Sequence, residues 1–280
     1  MTPLRLEAPA KLNLWLSVVG RRGDGLHELV SDIVLLELAD RLLLMPGTSG
    51  LRVEGDEAGS LPLDRENLAW SGLRAGLGRE PELECLTLEK RVPVASGLGG
   101  GSSDAAAAWR LARRWIGQEE SADAAQLDSL ASVGADVPFF AARLPAARVG
   151  GIGERVKPIP VPAGLAHVVL AHPAFELRTA DVFAELRADE WSHAAHETGN
   201  DLLAPARRLR PELDEVFRLV VAAGGDPRLS GSGPTVFSLT DDPERAAAVA
   251  GRLQRAGLRA SHTRLRDEPA SIEVIGELEE

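Results

Sequence analysis

Apolar residues at Leu12, Leu14, Leu16 and Val18 alternate with their neighbours, the period of two expected of a strand with one covered face. Leu4-Arg5-Leu6-Glu7 alternates in the same way until Pro9, and Gly20 to Gly25 forms a turn cluster. Ile33 to Met45 predicts one or two strands around Ala39-Asp40, and Leu83 to Val92 another that ends at Pro93. Helices are predicted from Asn67 to Leu77, from Asp104 to Ile116 in an alanine-rich run, and from Ala122 to Ser132. Arg148 to Pro162 is rich in Gly and Pro and predicts a crossover loop. Beyond it the pattern predicts a strand at 166–171, helices at 179–187 and 201–223, a strand at 235–239, a helix at 242–256, and short strands near 258–264 and 271–275. Strands gather in the first 95 residues instead of alternating with helices, so the class is α+β. A length of 280 residues suits two domains, divided here as 1–150 and 151–280.

Composition narrows the function. The net charge is −11, unfavourable for general nucleic-acid binding, which depends on Lys and Arg neutralising phosphates. Any bound phosphate needs a local device. The single cysteine, Cys85, excludes an internal disulfide and a zinc site built on several cysteines. The one long uncharged stretch, Pro158 to Phe175, contains four prolines and reads as a loop leading into a buried strand. No membrane span or signal peptide is expected, and a cytoplasmic location follows.

Ser96-Gly97-Leu98-Gly99-Gly100-Gly101-Ser102-Ser103 supplies the local device. Glycines let backbone N–H groups approach an anion closely, and the helix that follows points its unpaired N–H groups and positive dipole end at the same place. No Lys follows as in a Walker A loop, and the glycine spacing does not fit a dinucleotide fingerprint. Ser230-Gly231-Ser232-Gly233-Pro234 is a second Gly-Ser turn. Asp136, in the apolar run Gly134 to Phe140, reads locally as a helix cap. Lys11 and Asn13 share the polar face of a strand, and His27 sits in a turn.

The run Pro93 to Ala106 resembles the ATP-binding motif of the GHMP kinases, and Leu229 to Pro234 resembles their C-terminal motif. Pro9 to Leu14, Gly23 to Leu29 and Gly134 to Phe139 resemble one branch of that superfamily. Its members phosphorylate the 2-hydroxyl of a cytidine diphosphate derivative of methylerythritol, on the non-mevalonate route to isoprenoid precursors. The resemblance implies an N-terminal half like domain 2 of ribosomal protein S5, a ferredoxin-like C-terminal half, and a small-molecule substrate in the cleft between them. It implies ATP with Mg²⁺, whose protein ligands it leaves unassigned. It makes Asp136 the proton acceptor and Lys11 its cationic partner. The nucleotide would be held by Pro93, Val94, Ala95, Ser96, Gly97, Leu98, Gly99, Gly100, Gly101, Ser102 and Ser103, with Asn67, Leu68 and Lys90 near the adenine. Asn13, His27, Thr179 and Phe183 would surround the acceptor. The branch usually carries Tyr before the histidine; this chain has Leu26 there and no tyrosine anywhere. Another GHMP kinase, for homoserine or mevalonate, fits the Lys11–Asn13 strand and the Gly25-Leu26-His27 turn less well. A catalytically silent ATP-binding protein would have no need of both Lys11 and Asp136.

Overall fold

A computed structural model describes residues 2–59, 61–192, 195 and 199–276. The strands expected from the alternation and from Ile33 to Met45 are longer than predicted, β1 (Leu4–Arg21) and β2 (His27–Pro46), and pair as one long hairpin. Its register shifts at Pro9/Lys11 and again at Asn13/Trp15. Such a bulge turns the side-chain alternation over, so residues two apart change faces. Leu4, Leu6 and Ala8 pack in one core, Ala10 and Leu12 in a second, and Leu16 and Val18 in a third. The apolar residues from Leu12 to Val18 therefore do not share one face, and the same bulges turn Lys11 and Asn13, both buried, inward.

Strand β2 is long enough to pair twice. Its second half pairs with β4 (Glu84–Glu89), which takes β3 (Gly50–Glu54) in parallel; its first half pairs with β5 (Ala146–Gly151), which turns back as β6 (Arg155–Pro158). The Gly- and Pro-rich stretch predicted as a crossover is thus largely a hairpin of this first sheet. A second, antiparallel sheet runs β10 (Arg259–Arg264), β7 (His167–His172), β9 (Val236–Thr240), β8 (Arg228–Leu229). The division expected at 150/151 falls inside β5. The first sheet continues to Pro158 and takes back β11 (Glu273–Val274), which pairs with β1.

The two sheets pack face to face through Ala10, Leu12, Val34 and Leu36 on one side and Val168, Leu170 and Phe237 on the other. In β7 the alternate residues, Val169 and Ala171, face the opposite way, toward helices. Helices α1 (Leu68–Leu77) and α2 (Gly100–Trp115) cover the outer face of the first sheet. Helices α3 (Ala124–Leu130) and α4 (Val137–Ala141) cap its end beside β5. The outer face of the second sheet is covered by α5 (Thr179–Glu185), α6 (Leu203–Leu209), α7 (Leu213–Ala222) and α8 (Pro243–Arg255). The single helix predicted over 201–223 is two. Pro211 cannot donate to the helical ladder and forces Arg210 out of the helical region, to φ −137° and ψ 81°.

One buried histidine gives the fold a measurable pH dependence. His172 lies between the Thr235 and Ser261 hydroxyls, each 3.3 Å from a ring nitrogen. Burial, reinforced by the Arg259 guanidinium, pushes its pKa down from 6.5 to about 4. Its contribution to stability is complete above pH 6.5, where both states are neutral. As the pH falls toward 4 the unfolded chain takes up a proton that the native site refuses, so stability declines by up to about 3 kcal/mol. Urea unfolding midpoints from pH 7.5 to 4.5 should fall less steeply for His172→Gln than for the wild-type chain. Equal slopes would remove His172 from the acid response.

Candidate active site

The turn before α2 folds as its glycines allow. Gly99 adopts a left-handed conformation (φ 69°) as the N-cap, and the helix begins at Gly100, four residues earlier than its alanine content suggests. Its first-turn N–H groups, which have no partner within the helix, point out of the glycine loop. The second Gly-Ser turn packs against this loop. Ser230 Oγ donates to the Gly97 carbonyl at 2.9 Å, and the Thr235 N–H donates to the Ser96 carbonyl at 3.2 Å. A Cβ at Gly97 would lie 2.4 Å from the Ser230 carbonyl oxygen, so the loops can meet only because Gly97 has no side chain. Asn200 donates to the Leu229 and Gly231 carbonyls and holds the second turn from behind.

Between the loops lies a cavity of about 510 Å³. The run Pro93 to Ser102 borders it, Leu98 excepted, as do Asn67, Leu68, Thr179 and Phe183. Leu98 and Ser103 are buried beneath it. The Leu98 carbonyl accepts the Lys11 backbone N–H at 2.9 Å, which ties the β1 bulge to the glycine loop. A Cβ at Gly100 would meet Val92 and the Lys90 ammonium. A larger residue there would push into the core, not toward a bound anion.

Lys11 and Asp136 meet on the cavity wall. The bulge in β1 turns Lys11 inward, and Asp136 stands at the start of α4 without making a side-chain cap bond, which sets aside its local reading as a helix cap. The Lys11 ammonium is 3.4 Å from an Asp136 carboxylate oxygen and donates to Asn13 Oδ1 at 2.6 Å. Asn13 donates in turn to Ser31 Oγ at 2.8 Å, and Ser31 donates to the Trp15 carbonyl. This relay, with Ser31 as the member the sequence did not single out, fixes the ammonium. Lys11 is buried while Asp136 remains about one-third exposed, so the carboxylate is the partner open to a ligand. Gly153, in the β5–β6 turn, lets that hairpin close on Ala135; a Cβ there would lie 1.9 Å from the Ala135 carbonyl oxygen.

Two residues expected near the adenine are engaged by the protein. Asn67 caps α1 by accepting from the Ala69 N–H and donates to the Pro62 carbonyl. Lys90 is buried and bonds to Asp40 at 2.5 Å and Asp104 at 2.9 Å. Asp40 also accepts the backbone N–H groups of Arg91 and Val92. Burial works against the Lys90 charge, but Asp104 and Asp40 outweigh it and raise its pKa. Burial, with Asp40 close by, holds the Asp104 carboxyl well above the usual carboxylate range despite Lys90. The Lys90 charge is thus shared with two carboxylates at the base of α2, while its side chain, like that of Asp104, also borders the cavity.

At the other end of the cavity, the Thr179 and Ser232 hydroxyls lie 2.9 Å apart. Phe183 borders the cavity; His27, which is not among the lining residues, stacks directly on it with ring centroids 5.3 Å apart. His27 also meets the edge of Trp191, a contact that nothing in the sequence indicated. Leu26 is half exposed.

The fold that sets a lysine–aspartate pair on the wall of a cavity between two Gly-Ser loops has counterparts. The model for the GHMP kinase N-terminal domain matches residues 65–143, and that for the GHMP kinase C-terminal region matches residues 179–259. The chain belongs to the GHMP kinases. A homoserine kinase from Cytophaga hutchinsonii has the same fold, with 18% identity, a TM-score of 0.68 and 98% of each chain covered. Within the family, one branch supplies relatives at 36–38% identity. The 4-diphosphocytidyl-2-C-methyl-D-erythritol kinase of Rhodopseudomonas palustris (strain BisA53) is 36% identical, over 91% of this chain and 95% of its own. That of Dinoroseobacter shibae is 38% identical over 90% of both. The crystal structure of a 4-(cytidine 5'-diphospho)-2C-methyl-D-erythritol kinase superposes with a TM-score of 0.75 at 36% identity, covering 93% of this chain and 98% of that one.

Proposed function

We propose that this chain transfers the γ-phosphoryl group of ATP to the 2-hydroxyl of 4-diphosphocytidyl-2-C-methyl-D-erythritol, a step in making isoprenoid precursors. The observation that carries the reading is the Lys11–Asp136 pair, 3.4 Å apart on the wall of a cavity whose other side is the glycine loop of α2. Phosphoryl transfer asks little covalent chemistry of a protein; rate comes from alignment and from stabilising charge on the transferred group.

Each group then has a role. The glycine loop and first-turn N–H groups of α2 hold the triphosphate without spending a side-chain charge. Asn67 and Leu68 border the nucleotide's end of the cavity, while Lys90 supports α2 from below. Asp136 accepts the hydroxyl proton. A carboxylate is a weak base near neutral pH, so the proton moves late, once the bond to phosphorus is forming. Lys11, locked by Asn13, keeps Asp136 oriented and offsets charge on the phosphoryl oxygens. Thr179 and Ser232 offer paired hydroxyls to the acceptor's diphosphate, and His27 with Phe183 receives its base. Among the described residues no three His, Cys, Asp or Glu side chains gather as a metal cage. Mg²⁺ would be carried on phosphate oxygens and water, where it would neutralise triphosphate charge. Among the described residues no helix is long and apolar enough to cross a membrane.

Coupled ADP release, measured with a panel of acceptor alcohols, tests the reading. Turnover should be strongest with the cytidine diphosphate derivative of methylerythritol. Preference for homoserine or mevalonate would move the chain to another branch, and no acceptor-dependent release would remove the kinase reading.

A further inference from the structure

Two turns that read in the sequence as punctuation meet in the fold. One is the Gly20 to Gly25 cluster between β1 and β2; the other is Gly151 to Glu154, where β5 gives way to β6. Arg22 and Glu154, 132 positions apart, join them, with Arg22 Nη2 2.8 Å from a Glu154 carboxylate oxygen. Arg22 Nε also donates to Glu28 at 3.2 Å. The Arg22 backbone closes the first turn by donating to the Leu26 carbonyl and accepting from the Gly25 N–H. The guanidinium is thus set by its own turn before it reaches the second.

Glu154 shapes that second turn. Its carboxylate folds back to accept the Ile152 N–H at 2.6 Å and lies so close over Gly151 (φ 71°) that a Cβ there would overlap its oxygens. Burial disfavours the Glu154 charge, but its own N–H, Arg22 and the Ile152 N–H outweigh burial and lower its pKa. Next in the turn, Gly153 presses on the Ala135 carbonyl, where no side chain would fit. Ala135 is bonded directly to Asp136, and Ile152, Gly153, Ala135 and Asp136 all border the cavity. Asp136 needs such a brace. It makes no cap bond at the start of the five-residue α4, and its contact with Lys11 is 3.4 Å, longer than a tight charge-assisted hydrogen bond.

We propose that Glu154 is a positioning residue for Asp136: anchored by Arg22, it fixes the β5–β6 turn whose Gly153 braces Ala135, and so holds the Asp136 carboxylate in place on the cavity wall. This rests on the reading of Asp136 as the proton acceptor. Neither Arg22 nor Glu154 is among the residues that line the cavity, so both act through the turn. A partly exposed ion pair contributes little to stability. Its loss is felt in alignment, to which the rate of transfer is sensitive.

The experiment measures kcat, acceptor KM, ATP KM and melting temperature for the intact chain and its variants. Glu154→Ala frees both the Ile152 N–H and Arg22 and should lower kcat by about tenfold, with ATP KM within about twofold of the wild-type chain. Glu154→Gln keeps an acceptor for the Ile152 N–H and gives up only the ion pair, so its kcat should fall by about threefold. Arg22→Gln should match it. The double variant Arg22→Gln/Glu154→Gln should be no slower than either single one, because the same contact is broken once. These two amide variants carry the test if Glu154→Ala does not fold. Losses that multiply in the double variant overturn the inference. So does a lowered melting temperature with kcat unchanged, the mark of a merely structural pair. Wild-type kcat in all the variants overturns it and leaves Asp136 as the acceptor, which Asp136→Asn tests separately. A wild-type chain with no acceptor-dependent turnover overturns both.

Discussion

Asp136→Asn should lower kcat by about 10²- to 10⁴-fold, the range associated with a positioned proton acceptor, while ATP still binds. The amide keeps the shape and cannot take the proton. It also leaves the Lys11 ammonium, 3.4 Å away and buried, without its anionic partner. Lys11→Met should give a loss of similar size, because Asn13 then holds nothing and phosphoryl charge goes uncompensated. The two act as one unit, so the double variant should lose far less than the product of the single losses. Single-turnover rates at saturating ATP separate this from weakened binding. Full activity in Asp136→Asn would remove the residue from the chemistry.

Lys90→Met should cause the largest loss of stability, about 3–5 kcal/mol, the cost of removing one member of a buried ionic cluster. In a chain of this size that lowers the melting temperature by roughly 10 °C. The methionine fills the space but leaves Asp40 and Asp104 together without a cation, 0% and 4% exposed. The two carboxylates are not equivalent. Asp40 collects three donors, whereas Asp104 takes one from Lys90, lies against the Asp40 carboxylate and is pushed toward its neutral form. Asp104→Asn should therefore be mild and Asp40→Asn costly. Thermal melts of the three variants decide this, and an Asp104→Asn chain as unstable as Asp40→Asn would contradict the assignment of charge.

The parts legible in the sequence are those with a local cause. Alternation gave β1 and β2, alanine content gave α2, and the clustered glycines marked the anion loop. Lys11 and Asp136, 125 positions apart, looked ordinary by themselves, as a strand-face residue and a helix cap; only the family resemblance paired them. What escaped depends on partners remote in the chain. The β5–β6 hairpin exists because β2 offers it an edge, and its glycines looked like loop punctuation. Bulges reassign the faces of β1, and no run of Leu and Val discloses where a bulge will fall. Lys90 borders the cavity, and its ionic cluster was not legible because the carboxylates come from Asp40 and Asp104, one of them 50 residues away. Trp191 carried no signal at all, since its ring meets that of His27 from 164 positions away.

The return of the chain end to the first sheet has a practical consequence. After β10 the backbone crosses back: Arg266 donates its N–H to the Leu35 carbonyl and its guanidinium to Glu7, the Ala270 carbonyl accepts from Arg110, and β11 lies along β1. A fragment ending near residue 158 would lack these ties and would bare the Leu4–Arg5 end of the β1 edge, an invitation to pair with another copy. One ending near residue 264 would keep both sheets and still uncover that edge. Dissecting this enzyme by truncation would thus yield sticky pieces, whereas a linker from β11 to β1 would respect how the first sheet is closed.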